Sequence, residues 1–153
     1  MARRTHLLKA ALREKSRLCD LVQAGMGAFG HVDVKLIAED QRPRIGDSLD
    51  LDAASKEEHP EANRWDYIVS ILDLKEFIGV EPHSAKDSEI SVVIAKKKHA
   101  TEYLRNHLQD GYRITRWFWV SHGTVGFSRM DRARRRLDQN GIAFAGRMLR
   151  TLG

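Results

Sequence analysis

Between residues 66 and 121 the hydrophobic repeat changes from two residues to about 3.6 and back to two, which constrains the fold more than any other feature. Residues 66–72 and 77–83 read as two strands. The connection through Asp73, Leu74 and Lys75 is short enough to make them a hairpin. Residues 88–108 then place Ile90, Val93, Ile94, Ala100, Tyr103, Leu104 and Leu108 along one side of a helix, with Gly111 as its stop. Residues 112–121 return to a strand rich in aromatic and β-branched side chains.

The flanks extend this pattern. Residues 5–23 carry Leu7, Leu8, Ala11, Leu12, Leu18 and Leu21 at helical spacing, with Thr5 as a candidate N-cap. Gly25, Gly27 and Gly30 end that helix, and residues 32–38 alternate as a strand. Residues 39–64 are polar and acidic, interrupted by Pro43, Gly46 and Pro60, and read as an irregular excursion with a short helical turn near 53–57. At the other end Ser128 caps a basic helix over 129–139, Asn140-Gly141 closes it, and 142–145 form a last strand. The expected architecture is α/β, in a single domain over 1–153. A mixed central sheet containing a β-hairpin is flanked by helices on both faces, in an α-β-β-β-α-β core plus a C-terminal helix and strand.

No stretch approaches the ~20 apolar residues of a membrane span. Lys9, Arg13, Glu14, Lys15 and Arg17 interrupt any apolar segment after the basic start, so a cytoplasmic location is expected. Cys19 is the single cysteine, which excludes an intrachain disulfide and a cysteine-based zinc cluster; it reads as a small buried hydrophobe. A formal charge of +5 favours anionic partners, nucleic acid foremost, with a homodimer or a protein partner left open. Lys96 and Lys97 on the central helix and Arg132 and Arg135 on the C-terminal one are candidate phosphate contacts; the alternative is a solvated helix face.

The chemistry-bearing residues lie in the hairpin. Period-two alternation puts Asp66, Ile68 and Ser70 on one face of the first strand, and Phe77, Gly79, Glu81 and His83 on one face of the second. An antiparallel hairpin returns Glu81 and His83 to the vicinity of Asp66. Two carboxylates and an imidazole at one sheet edge are costly unless solvated, paired or bound to a cation, and hard oxygen donors suit Mg²⁺ or Mn²⁺. The plainer reading makes Asp66 a strand-boundary residue and Glu81-Pro82-His83 a polar strand exit.

This element order resembles the core of the PD-(D/E)XK, or restriction-endonuclease-like, nucleases. Asp66 matches the family's first acid, and Glu81-Pro82-His83 falls where its E-x-K stands. The resemblance implies a divalent metal held by Asp66 and Glu81 and hydrolysis of phosphodiester bonds in DNA or RNA. A non-catalytic nucleic-acid- or protein-binding module on the same scaffold is the alternative. Two departures stand out. Trp65 replaces the proline, and His83 replaces the lysine that would position the nucleophile or stabilise developing negative charge. His83 as base, ligand or cation, or a migrated lysine at Lys86, Lys96 or Lys97, would then take that role. Glu14 is the candidate additional acid from the N-terminal helix.

Overall fold

The computed structural model describes residues 6–153. Among them six strands form one sheet: β1 (Gln23–Ala24), β2 (Ile45–Asp50), β3 (Tyr67–Ile71), β4 (Glu76–Lys86), β5 (Arg116–Gly126) and β6 (Ile142–Phe144), in that spatial order. The first four run antiparallel. β5 pairs parallel to β4, and β6 parallel to β5. The α-helices are α1 (Leu7–Ala11), α2 (Leu51–Lys56), α3 (Ile90–Arg105), which crosses from β4 to β5, and α4 (Met130–Gln139), which crosses from β5 to β6. The expected mixed sheet, hairpin and α/β class are all present in one domain. No helix among the described residues is long and apolar enough to cross a membrane.

The α-helices pack on one face of the sheet, not on both. Leu8, Leu51, Val93, Leu104 and Leu137 bury against Trp65, Ile68, Phe77, Trp117 and Trp119 there. Strand order advances in one direction from β4 to β6, so crossovers of one hand put α3 and α4 on the same side. The opposite face, with Tyr67, Val69, Ile78, Val80 and Val120, is covered by Phe29, Leu36 and Ile37 and by the C-terminal Leu149 and Leu152.

The long N-terminal helix expected over 5–23 is not formed. Its proposed Thr5 cap lies outside the described residues. α1 ends at Ala11 because Leu12 turns extended and its backbone bridges Leu108, while the Arg13 N–H donates to the His107 carbonyl at 2.7 Å. A separate 3₁₀ turn, Arg17–Asp20, follows Ser16, and half-buried Cys19 packs at the edge of the helix-side core. Residues 32–38 are likewise not a strand. Val34–Leu36 is a 3₁₀ turn, and the segment lies across the sheet face, with only Ile37 bridged to Leu149.

The expected excursion over 39–64 contains the buried strand β2 as well as α2. β2 has polar residues at its centre, and the structure shows why they are tolerated. The Asp47 carboxylate, fully buried, accepts the backbone N–H groups of Leu8 and Lys9 at 2.9 and 3.0 Å and the hydroxyl of Ser70. Ser128 does not cap α4. Its backbone and hydroxyl donate to Asp87, tying the start of that helix to the turn after β4.

Candidate active site

The hairpin register pairs Tyr67 with Val80, which sets Asp66 against Glu81 as the alternation requires. The Asp66 backbone N–H donates to Glu81 Oε1 at 2.8 Å. Trp65 anchors this corner: fully buried, it donates from its indole to the Tyr67 carbonyl at 3.1 Å and meets Trp117 edge-on at 5.0 Å. Only glycine fits beside that pair. A Cβ at Gly79 would stand 2.5 Å from Trp117 Cε3 and 2.9 Å from Trp65 Nε1.

Glu81 has no exposed surface, and its second oxygen is answered from two directions. Lys96 Nζ lies 2.6 Å from Oε2, and His83 Nδ1 lies 3.4 Å from the same atom. Lys96 Nζ is also 3.8 Å from Asp66 Oδ1. Helix α3 delivers this lysine because position 96 follows buried Val93 by three residues and precedes buried Ala100 by four, on the side that packs on the sheet. The far ring nitrogen of His83 is 2.7 Å from Glu89 Oε1, on the 3₁₀ turn Asp87–Glu89 between β4 and α3.

Three carboxylates thus surround one lysine and one imidazole. Burial and the neighbouring Glu81 charge push the Asp66 carboxyl up to about 8, against the pull of Lys96. The hydrogen bond His83 donates to Glu81, seconded by the one to Glu89, raises its imidazole above its ordinary value against the cost of burial. Asp50, which caps α2 by accepting the Ala53 N–H, is raised by burial and by the charges of Asp52 and Asp33. This corner of the fold is short of positive charge.

Asp66 and Glu81 are hard oxygen donors, and both Glu81 oxygens are already engaged, one by the Asp66 N–H and the other by Lys96 and His83. No group of three or more His, Cys, Asp or Glu side chains poised for a metal occurs among the described residues. Asp66 and Glu81 are the carboxylates that would hold such an ion. Mg²⁺ characteristically accepts such a site, since it keeps several waters and takes only one or two carboxylates.

The structure separates the other sequence candidates. Lys86 ends β4 on the opposite face to Glu81 and His83; it is exposed, and its side chain makes no polar contact with the described residues. It does not enter the site, because its even position reverses the alternation that brings Glu81 in. Lys97 donates to the Asn140 carbonyl at 2.7 Å and lies over the Trp117 ring at 5.9 Å, directed towards α4. Lys96 is an internal ion-pair partner, not a surface phosphate contact. Arg132 lines a cavity of about 280 Å³ with Asp87, Ser128, Arg129 and Arg136, beside the turn that carries Glu89. Arg135 is exposed and lies outside that cavity. Glu14 is exposed in the turn after α1 and joins no polar contact of the site.

Glu89 was missed by sequence reasoning; its only signal is an acidic residue just ahead of the helix. No protein-family model, curated protein or solved structure matches this chain.

Proposed function

We propose that this chain is a metal-dependent nuclease acting in the cytoplasm, hydrolysing phosphodiester bonds in DNA or RNA through Asp66, Glu81 and Lys96. One observation carries the reading. Lys96 reaches from α3 to within 2.6 Å of Glu81 and 3.8 Å of Asp66, supplying from the helix the amine that His83 does not supply from the strand. The order of antiparallel hairpin, crossover helix and parallel strand is the one in which the PD-(D/E)XK resemblance places such a site.

Asp66 and Glu81 would hold Mg²⁺ or Mn²⁺. The ion, when bound, supplies Lewis acidity towards the phosphate and lowers the pKa of a coordinated water. Lys96 orients the attacking water and balances negative charge developing on the phosphate oxygens. His83, braced by Glu89, holds the Glu81 carboxylate in its orientation, the part an outer partner plays for a ligating side chain.

The rival reading is a non-catalytic nucleic-acid- or protein-binding module. It draws on the full burial of Glu81 and its close pairing with Lys96. Incubation with single- and double-stranded DNA and RNA in Mg²⁺ or Mn²⁺ separates the two. Metal-dependent cutting that disappears in Asp66→Ala and Glu81→Ala supports the nuclease. No cutting by folded wild type supports the binding module.

A further inference from the structure

A cavity of about 680 Å³ opens near the end of β5, on the face of the sheet that carries no α-helix and opposite the face on which Lys96 meets Glu81. It exceeds the cavities of about 310 and 280 Å³ over α3 and α4 and falls within the range of about 300–1,000 Å³ typical of ligand pockets. Lys35, His122, Arg147 and Arg150 line it, with Asp33 and Ser121.

Two threads place the cavity at the same end of the sheet as that corner, on its other face. Ser121 pairs in register with His83, so His122 lies one residue past the end of the site. Asp33 accepts the hydroxyl of Tyr67 at 2.6 Å, and Tyr67 directly follows Asp66. The bridge between Ile37 and Leu149 sets the segments carrying Lys35 and Arg147 side by side. The Ser121 N–H fastens the second segment through the Gly146 carbonyl at 2.6 Å.

The charges here are unspent. Arg17, Arg44, Arg64 and Arg116 each meet a carboxylate. Lys35, Arg147 and Arg150 are exposed and make no ion pair among the described residues. The carboxylate in the lining, Asp33, is occupied by Tyr67. Several cations spread over two segments, at the same end of the sheet as the proposed phosphodiesterase site, suit a ligand carrying repeated negative charge, which gains by releasing counterions at each phosphate.

We infer that the cavity lined by Lys35, His122, Arg147 and Arg150 binds the phosphodiester backbone of a nucleic acid strand and leads it to Asp66, Glu81 and Lys96. The second half of that statement rests on the nuclease reading; the binding itself does not.

The test measures binding of labelled single-stranded and duplex oligonucleotides by fluorescence anisotropy in EDTA, at low and moderate salt. The double variant Arg147→Glu/Arg150→Glu is compared with Arg105→Glu/Arg113→Glu, which makes the same charge change around the cavity near Leu108 and Tyr112. The cavity variant is expected to raise Kd by about tenfold or more and to flatten its salt dependence, the control by much less. Both cavity arginines are exposed, so the melting temperature should hold; Lys35→Ala, on the other segment, should give a smaller loss in the same direction. In the cleavage assay KM should rise with kcat retained. Equal losses in both double variants, no loss in either, or competition by a mononucleotide as strong as by an oligonucleotide would overturn the inference. If wild type cuts nothing while the cavity variant still loses binding, the nuclease reading falls and the binding track stands. If Asp66-dependent cutting occurs with Kd and KM unchanged in the cavity variant, the track falls alone.

Discussion

Lys96 Nζ and Glu81 Oε2 are 2.6 Å apart, though one side chain descends from the crossover helix and the other stands in the strand beneath it. The contact couples the proposed chemistry to stability. Glu81 is wholly buried, and the lysine supplies its closest cation. Breaking a buried pair from one side leaves an uncompensated charge, which costs more than replacing both members.

Lys96→Met should therefore lower stability by about 3 kcal/mol, a fall in Tm of roughly 6–12 °C. The double variant Glu81→Gln/Lys96→Met should regain most of that loss. Thermal unfolding of the two single variants and the double variant checks this; additive losses would contradict the coupling.

The metal-free protein should lose stability as pH rises from about 4 towards 8. Asp66 in the folded chain holds its proton up to about 8, whereas the unfolded carboxyl releases it near 3.8. The folded state therefore binds more protons across that window, and stability falls with pH. His83, raised above its ordinary value of 6.5, acts in the same direction over the upper part. It stabilises fully below 6.5, and that contribution is lost as pH passes its folded value. Asp66→Asn should flatten the profile between pH 4 and 8, and added Mg²⁺ should raise Tm more at pH 8 than at pH 5. A profile unchanged by Asp66→Asn would refute this.

His83→Gln should reduce cleavage by about 10–100-fold, as loss of an outer partner does, with partial recovery at higher Mg²⁺ concentration. Its ring acts on Glu81 at 3.4 Å and is itself held by Glu89 at 2.7 Å, so on the nuclease reading its loss loosens the proposed ligand Glu81 and removes none. Glu89→Gln should reproduce the effect in weaker form. A loss that metal does not relieve would place His83 among the reacting groups instead.

Gly79→Ala should destabilise by about 1–3 kcal/mol, the usual cost of overpacking, because its methyl meets Trp117 and Trp65. The tryptophan near Asp66 has to move, so cleavage should fall and intrinsic fluorescence should shift. Chemical denaturation together with the emission spectrum checks this.

The central hairpin and its registration were legible because strand alternation and turn length leave little freedom there, and Asp66 opposite Glu81 followed directly. Lys96 could be anticipated too: within α3 it occupies the phase of Val93 and Ala100, a charge in an apolar stripe. The N-terminal third was not legible. The apolar spacing of residues 5–23 suits a helix, but Leu12 is claimed by backbone pairing with Leu108, a contact 96 residues away along the chain. β2 escaped notice because buried Asp47 makes its centre look like loop. The distant N–H groups of Leu8 and Lys9, with the Ser70 hydroxyl, explain why that carboxylate is inside. Local pattern identified elements that pack by side chains and missed those fixed by remote backbone partners.

The most direct test is single-turnover cleavage of oligonucleotides in Mg²⁺ or Mn²⁺ by wild type, Lys96→Met and Lys86→Met, each assayed below its melting temperature. Wild type should cut in a metal-dependent manner, Lys96→Met should lose about 10²–10³-fold, and Lys86→Met should stay near the wild-type rate. Cutting that survives in Lys96→Met, or is lost in Lys86→Met instead, would contradict the assignment of the catalytic amine to the helix.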